Sequence, residues 1–314
     1  MSDSSLCDKK ILVTGANGFL GRHVVDVLRA RGVSEANLRC PRSSEVDLLC
    51  PAACAEAVDR MDLVIHLAAN IGGIAFNKEY PGELLYANSL MGLQLIEAAR
   101  QQRVAKTVIL GTTCSYPKQT PVPFREQELW NGPLDETTGP YGLSKLLLLR
   151  QAQTYRQQYG FNGIFLIPAN VYGPGDHFDD ARAHVVPALI KRFITAAETN
   201  APEVVVWGTG QASREFLYVT DAARAIVLAC EKYDGAEPMN LGTGEETPIR
   251  ELAETIAEQT GYQGEIVWDA TKPDGQPRRS LDVTRAREEL GFVAETSLAD
   301  GLAEAIAWYN QQRA

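Results

Sequence analysis

The stretch KILVTGANGFLGRHVVDVLRARG, residues 10–32, joins an apolar run to a helical pattern through three spaced glycines. Its first part is continuously apolar, as a buried strand is, and its second part repeats apolar residues at helical spacing. Gly15 can make the tight turn, Gly18 can let a pyrophosphate approach the backbone, and Gly21 can let the helix lie close to the strand. Glycines alone are weak support, because many strand–helix turns need them. The strand before and the helix after favour a dinucleotide site.

The same alternation continues to about residue 173. Apolar strands interleaved with helices predict a parallel sheet covered on both faces, and right-handed crossovers make it doubly wound. The predicted fold class is therefore α/β and Rossmann-like. The strand patterns lie at residues 62–69, 105–113 and 161–174, and the helix patterns at residues 81–102 and 139–160.

The pattern loosens after residue 173. We expect residues 1–173, with about 215–235 packing back on them, to form an NADP-binding domain. Residues 174–314 are expected to form a smaller C-terminal α/β substrate-binding lobe. Its helix patterns lie at residues 183–198, 220–233, 249–261 and 297–312, and its strand patterns at 203–210 and 264–269.

Composition limits the function classes. The 314 residues are 45% hydrophobic and 22% charged, with a formal net charge of −10. An acidic surface argues against a nucleic-acid or membrane-surface binder. The sequence has no apolar leader at its start and no run long enough for a membrane span. Six cysteines and four histidines show no metal-ligand spacing. We expect reduced thiols, no metal and a cytoplasmic location.

The end of the second predicted strand indicates which dinucleotide binds. An NAD site commonly has an acid there, but Arg39 and Arg42 come first and no carboxylate occurs before Glu45. This favours the 2′-phosphate of NADP(H), although either arginine could instead be a solvated surface residue. Asp47 and Leu48 lie where a contact to adenine is plausible.

A tyrosine–lysine pair supplies candidate catalytic groups. Tyr141 and Lys145 are four residues apart on one face of the predicted helix. A phenol has a pKa of about 10, and a nearby ammonium is expected to lower it. Tyrosine could then exchange a proton with a carbonyl or alcohol during hydride transfer. Thr112 or Thr113, at the preceding strand end, could hold the same oxygen. The YxxxK pattern alone is common on surface helices. The interpretation therefore rests on its combination with the glycine turn and with the hydroxyl-bearing strand end.

These motifs together resemble the extended short-chain dehydrogenase/reductase family over nearly the entire chain. Thr112 replaces the usual catalytic serine, and Pro168 stands where many epimerases of the family have arginine. Segments that resemble the sugar-nucleotide branch are SREFLYVTDAARAI (213–226), NLGTGEETPIRELAE (240–254) and KPDGQPRRSLDVTRA (272–286). Segments that resemble its fucose-synthase branch are ANIGGIAFNKEYP (69–81), TTCSYPK (112–118), IPANVYGPGDHF (167–178) and HVVPALIKRF (184–193).

The resemblance implies a reaction and its residues. The substrate is GDP-4-keto-6-deoxy-D-mannose, which is epimerised at C3 and C5 and reduced at C4 with NADPH. Tyr141 and Thr112 would hold the keto oxygen, with Lys145 beside them. Cys114 and His184 would exchange the protons, and which of them is the base at each carbon stays open. Without this context a lone cysteine is usually buried filling, and a lone histidine is usually a surface or capping residue. The resemblance also implies a homodimer through a helix bundle that includes the Tyr141 helix.

The short segment 111–118 is expected to divide its roles. Thr112 would be the hydroxyl partner of Tyr141, and Thr113 looks dispensable. Strand alternation would point Cys114 to the same side as Thr112.

The ligand contacts expected from these motifs form two sets. Arg192, Arg214 and Arg279 are cation candidates for the diphosphate, although each could be a structural ion pair. Trp207 could pack on the sugar nucleotide or be a core aromatic. Asn170 and His184 complete the substrate set. The expected cofactor contacts are Gly15, Asn17, Gly18, Phe19, Leu20, Gly21, Arg39, Arg42, Asp47, Leu48, Leu67, Ala68, Ala69, Tyr141, Lys145, Pro168, Asn170 and Val171.

Two alternatives remain open. A related NAD(P)-dependent epimerase or reductase acting on another sugar, such as a GDP-heptose enzyme or a 3,5-epimerase that retains its cofactor, would keep Thr112, Tyr141 and Lys145. A non-catalytic NADP-binding regulator on the same fold would typically lack the tyrosine–lysine pair.

Overall fold

The computed structural model describes residues 6–179, 183–272 and 274–313. The strands are β1 (Ile11–Thr14), β2 (Leu38–Arg39), β3 (Leu63–His66), β4 (Lys106–Leu110), β5 (Gly163–Pro168), β6 (Asn170–Tyr172), β7 (Glu203–Trp207), β8 (Ser213–Arg214), β9 (Phe216–Tyr218), β10 (Met239–Leu241), β11 (Thr247–Pro248), β12 (Glu265–Asp269) and β13 (Arg278–Arg279). The helices are α1 (Phe19–Ala30), α2 (Pro51–Val58), α3 (Ile74–Glu79), α4 (Pro81–Gln101), α5 (Gly139–Tyr159), α6 (Val185–Glu198), α7 (Val219–Lys232), α8 (Ile249–Thr260) and α9 (Leu298–Arg313).

A six-stranded parallel sheet forms the centre of the molecule, in the order β10-β5-β4-β3-β1-β2. Strands β1, β3 and β5 are buried along their entire length, as strands covered on both faces are. The chain leaves β1 toward one edge of the sheet and returns at β3 toward the other. This reversal makes a crevice at the carboxyl ends of β1 and β3. The predicted doubly wound α/β fold is confirmed.

A second hydrophobic core lies beside this sheet. It packs α6, α8 and α9 around residues such as Phe193, Leu252 and Leu302. Three small sheets accompany it, in the orders β11-β8-β13, β12-β7 and β6-β9.

The predicted strand at residues 161–174 is divided in the structure. Its first part is β5, which pairs with β4 and β10 in the central sheet. Its second part is β6, which pairs with β9. Ala169 lies between them and donates its N–H to the carbonyl of Leu241. The central sheet thus includes β10, and the first core includes Leu281 and Phe292, so later parts of the chain complete it.

Within residues 6–179, 183–272 and 274–313, no helix is both long and apolar enough to cross a bilayer. These ranges contain no cluster of three or more histidine, cysteine, aspartate or glutamate side chains that could hold a metal ion.

Candidate active site

The glycine turn follows β1 directly. Gly15 has a φ of 74°, a left-handed conformation that favours glycine, and a Cβ there would lie 2.7 Å from the backbone nitrogen of Ala68. A Cβ at Gly21 would overlap the carbonyl oxygen of Gly15, so only glycine lets α1 approach so closely. At Gly18 the only atom near an added Cβ is that same oxygen, at 3.2 Å. The turn therefore leaves backbone open at the start of α1.

The two arginines of the proposed NADP site differ in their surroundings. Arg39 donates to the carbonyl of Glu56 at 2.7 Å and is partly exposed. Arg42 is exposed, and its guanidinium makes no hydrogen bond or ion pair with any residue that the structure describes. Leu48 packs into the core, while the exposed Asp47 accepts from the backbone of Leu49. Arg42 is thus the arginine that is free to meet a phosphate.

The other expected cofactor residues lie at the same edge of the sheet. Asn17, in the glycine turn, donates to the carbonyl of Cys40 at 3.5 Å. Parallel strands bring their carboxyl ends together, so loops that follow β1, β3 and β5 meet there. The remaining residues of this group are Phe19 and Leu20 at the start of α1, Leu67, Ala68 and Ala69 after β3, and Pro168, Asn170 and Val171 at the junction of β5 and β6.

Tyr141 and Lys145 lie in the first two turns of α5 and are almost entirely buried. The Lys145 Nζ is 5.9 Å from the centre of the Tyr141 ring. Burial lowers the pKa of Lys145 to about 8. Burial, together with the nearby Cys114, raises the pKa of Tyr141. Desolvation of the phenolate thus outweighs any lowering of the Tyr141 pKa by Lys145 in this structure. Tyr141 is a protonated phenol at neutral pH and can donate a proton.

The segment after β4 is a turn and not an extended strand. Thr112 begins a 3-10 turn over Thr113–Ser115, and its Oγ accepts from the Cys114 N–H at 3.2 Å. The expected strand alternation therefore does not set the directions of the Thr112 and Cys114 side chains, because the backbone turns between them. Cys114 is half-buried and lies close enough to Tyr141 to affect its pKa. The turn still brings both groups toward α5.

The contact between this turn and α5 was not anticipated from the sequence. The Ser115 hydroxyl donates to the carbonyl of Gly142 at 3.1 Å. A Cβ at Gly142 would overlap the carbonyl oxygen of Cys114 and lie 3.1 Å from the nitrogen of Ser115. Gly142 follows Tyr141 in the chain, so this close approach sets the distance between Tyr141 and Cys114.

Two candidate diphosphate residues, Arg214 and Arg279, lie side by side in register on β8 and β13. Burial, with the charge of Arg279, lowers the pKa of Arg214 to about 10. Arg279 also donates to the Thr113 hydroxyl at 3.4 Å. Thr113, which looked dispensable from the sequence, is buried and links the Cys114 turn to Arg279. Two adjacent guanidinium groups suit a ligand with two phosphates.

A buried carboxylate that sequence reasoning missed organises this region. Glu215 follows Arg214 and is 1% exposed. Its Oε1 accepts from the backbone of Thr243 at 2.6 Å and its Oε2 accepts from that of Leu281 at 2.6 Å. Its carbonyl accepts from the Asn170 side chain at 2.8 Å. The sequence signal that could have identified Glu215 is its position directly after Arg214 in the segment SREF.

His184 is the residue immediately before α6. Its side chain reaches solvent, but surrounding protein atoms and the charge of His177 lower its pKa. Arg192, two turns further along α6, donates to the carbonyl of Val205 at 2.6 Å. A groove of about 540 Å³ runs between α6 and β7, and its lining includes Arg192, Lys191, Thr195, Glu203 and Val205.

Trp207 ends β7 and is 67% exposed, so it is not a core aromatic. The Lys272 Nζ lies 5.7 Å from the centre of its ring. Lys272 was not singled out from the sequence, although it opens the segment KPDGQPRR. An exposed flat ring with a cation beside it suits a nucleotide.

Comparison with known proteins places these features in a family. Residues 11–242 match the NAD dependent epimerase/dehydratase family. The GDP-L-fucose synthase of Escherichia coli (strain K12) is 41% identical over an alignment of 318 positions, gaps included, that covers 97% of this chain and 98% of that protein. A GDP-6-OMe-4-keto-L-xylo-heptose reductase from C. jejuni superposes with a TM-score of 0.91 at 25% identity and covers 98% of this chain and 99% of its own. A GDP-L-fucose synthetase from Naegleria fowleri bound to NADP superposes with a TM-score of 0.88 at 26% identity, over 98% of this chain and 95% of its own. The chain belongs to the NAD dependent epimerase/dehydratase family and, within it, to the group of the GDP-L-fucose synthases.

Proposed function

We propose that the protein converts GDP-4-keto-6-deoxy-D-mannose to GDP-L-fucose, inverting C3 and C5 and reducing C4 with NADPH. The observation that carries the proposal is its 41% identity to a GDP-L-fucose synthase over almost the full length of both chains. The closeness of Cys114 to the Tyr141–Lys145 pair adds support, because a plain reductase would not need the thiol.

NADPH fits the edge of the sheet formed by the glycine turn. Open backbone at Gly18 and the start of α1 can bind its diphosphate. Arg42, with Arg39 behind it, would hold the 2′-phosphate, and Lys145 would hold ribose hydroxyls. When bound, the cofactor supplies the hydride for C4. We assign its contacts to residues 1–173 with 215–235, and those of the sugar nucleotide mainly to residues 174–314.

The sugar nucleotide fits the region between α6, β7, β8 and β13. Arg214 and Arg279 would bind the diphosphate, since they are adjacent and half-buried. The groove beside Arg192 has the volume for a nucleoside, and Trp207 offers an exposed ring for stacking. Asn170, whose amide nitrogen already donates to Glu215, would present its oxygen to the sugar.

Epimerisation uses the acidity of the protons beside the keto group. The hydroxyls of Thr112 and Tyr141 would donate to the keto oxygen and stabilise the enolate. The Oγ of Thr112 accepts from Cys114, which leaves its own proton free to donate. Cys114 and His184 would remove and return protons on opposite faces of the sugar. After both inversions, hydride reaches C4 and the protonated Tyr141 gives its proton to the oxygen.

The quaternary state and location are part of the proposal. Tyr86 of α4 and Leu143 and Leu147 of α5 are large apolar residues that are 66%, 49% and 42% exposed. Two copies packed through α4 and α5 would cover them as a homodimer. No disulfide joins any of the six cysteines, all of which lie in the described ranges, and this suits the reducing cytoplasm.

Product analysis in heavy water tests the reaction. With GDP-4-keto-6-deoxy-D-mannose and NADPH, we expect GDP-L-fucose labelled at C3 and C5 and one NADPH oxidised per product. Cys114→Ser should slow deuterium uptake while NADPH binding persists, whereas the exposed Cys50→Ser should behave as wild type. Tyr141→Phe should slow reduction roughly 10²- to 10⁴-fold. If the protein oxidises no NADPH with this substrate, the proposal is refuted.

A GDP-heptose reductase is the second candidate, because such an enzyme superposes along nearly the whole chain. The two substrates are compared by kcat/KM under the same conditions. A higher kcat/KM for the GDP-4-keto-heptose would replace the fucose assignment. A non-catalytic regulator is disfavoured by the buried Tyr141 and Lys145, because a buried ammonium is costly without a function.

A further inference from the structure

Arg279, a candidate diphosphate residue, is held in place by neutral oxygen atoms. Its Nε and Nη2 both donate to the Oε1 of Gln276, at 3.1 Å and 2.9 Å. Its Nη1 donates to the Thr113 hydroxyl at 3.4 Å. Among the residues that the structure describes, no carboxylate forms an ion pair with this guanidinium. The side chain is therefore fixed without having its charge compensated.

The neighbouring Arg278 has the opposite surroundings. Both arginines belong to β13, where successive side chains point to opposite sides of the strand. The Arg278 Nε donates to the Oε2 of Glu246 at 2.9 Å, and the two side chains form an ion pair. A carboxylate thus compensates the charge of Arg278, whereas the charge of Arg279 stays available to an anionic ligand.

The amide of Gln276 has a defined orientation. Its Nε2 donates to the carbonyl of Lys118 at 3.2 Å, so its oxygen faces Arg279. An amide oxygen has two lone pairs and can accept from both guanidinium nitrogens at once. Lys118 follows shortly after Thr113 and Cys114 in the chain. Arg279 is therefore tied to the catalytic segment at two points, directly through Thr113 and indirectly through Gln276.

The guanidinium of Arg279 also keeps donors for a ligand. Its hydrogen bonds use one N–H group each on Nε, Nη1 and Nη2. Each terminal nitrogen carries a second N–H group, and these have no acceptor in the part of the chain that the structure describes. A pair of N–H groups on one guanidinium suits bidentate contact with a phosphate.

We propose that Gln276 is a positioning residue for the diphosphate of the substrate: its neutral amide fixes Arg279 and leaves the positive charge to a phosphate. The proposal rests on the proposed function in that Arg279 meets the diphosphate of a GDP-sugar. A carboxylate at position 276 could hold the guanidinium as well, but it would compete with the phosphate for its charge. An apolar side chain would leave the charge free, but Arg279 would then have to be ordered on binding, which costs affinity.

Gln276→Glu and Gln276→Leu separate these two effects. Glutamate can keep the contacts to Arg279, whereas leucine keeps none of them. We expect the Kd for GDP, measured by calorimetry at fixed ionic strength, to rise about tenfold or more in Gln276→Glu. In Gln276→Leu it should rise only about two- to fivefold. The Kd for NADPH should stay constant in both variants. A merely structural role of Gln276 predicts the reverse order, because glutamate retains more of the contacts.

Gln263→Glu is the control for the added negative charge, because Gln263 is exposed and its amide donates to the carbonyl of Gly261. This variant should bind GDP as the wild type does. In an Arg279→Gln background, Gln276→Glu should change the Kd for GDP by no more than about twofold, because the charge that it compensates is gone. The proposal is overturned if Gln276→Glu binds GDP as tightly as Gln276→Leu, or if it weakens binding equally without Arg279.

These binding measurements need no turnover. Urea unfolding checks that each variant is folded, and if the leucine variant is not, the comparison of Gln276→Glu with Gln263→Glu still decides. The expected order of affinities would stand even if the protein acted on a different GDP-sugar. Conversely, wild-type GDP affinity in Gln276→Glu would remove this role of Gln276 while leaving the formation of GDP-L-fucose untouched.

Discussion

Gly142→Ala should separate catalytic geometry from folding more sharply than any change to a reacting group. The added Cβ would overlap the carbonyl oxygen of Cys114 and lie 2.6 Å from its carbonyl carbon. Both atoms are backbone, so no side-chain rotation relieves the overlap. Helix α5 and the turn at Thr113–Ser115 must move apart, and the neighbouring Tyr141 moves with the helix.

The size of the effect follows from this displacement. Overpacking of this kind costs about 1–3 kcal/mol of unfolding free energy. A shift of about 1 Å at reacting groups lowers the rate roughly a hundredfold. We therefore expect kcat to fall about a hundredfold, with stability reduced but the fold retained. The Ser115–Gly142 hydrogen bond should lengthen as well.

The assay compares kcat from NADPH oxidation with unfolding free energy from urea titration. Gly82→Ala is the matched control, because it lies in helix α4 and its Cβ would meet nothing within 4 Å. That variant should keep wild-type kcat and gain up to about 1 kcal/mol. If Gly142→Ala keeps full kcat and unfolds as wild type does, the contact between turn and helix does not set the geometry.

Three further changes test other parts of the structure. Glu215→Gln places an amide N–H against a backbone N–H. We therefore expect the Kd for GDP, measured by calorimetry, to rise about tenfold or more while the Kd for NADPH stays constant. An equal rise in both Kd values would contradict this. Burial raises the pKa of Asp176 to about 7, whereas the unfolded carboxyl titrates near about 3.9. Wild-type stability is therefore lost as pH rises from about 4 through about 7, and Asp176→Asn should gain in relative stability over that range, by a few kcal/mol at most. Urea unfolding at about pH 5.5 and about pH 8 checks this, and a constant difference would count against it. Leu147→Glu should turn a dimer into a monomer in sedimentation, whereas Val293→Glu, also exposed, should not; a dimer that survives Leu147→Glu would place the interface elsewhere.

Local periodicity was sufficient to predict five of the six strands of the central sheet and its long helices, but not β10. The glycine turn after β1 was also predictable, because strand, turn and helix signals occur in one continuous segment. The division between β5 and β6 was not predictable, because it depends on pairing with β10 and β9, far away in sequence. Long-range partners of that kind leave no periodic signal.

The sequence identified which residue types form the site, but it did not predict the pKa values of those residues. Tyr141 and Cys114 were singled out, yet the raised pKa of Tyr141 follows from a degree of burial that only the packed structure reveals. The turn at Thr112 was missed because its hydrogen bond to Cys114 competes with strand geometry. Glu215 was missed because its hydrogen-bond partners come from other segments of the chain.

The junction at Ala169 has a consequence for how the molecule can move and be divided. Strand β5 is paired on both sides in the central sheet. Only Ala169 separates it from β6, which is paired with β9. A hinge needs residues that are free to change φ and ψ, and a one-residue connection between two paired strands does not provide them. We expect that proteolysis would not release two independent folding units at this point. Access of substrate to the site would then depend on surface loops and not on the two cores swinging apart.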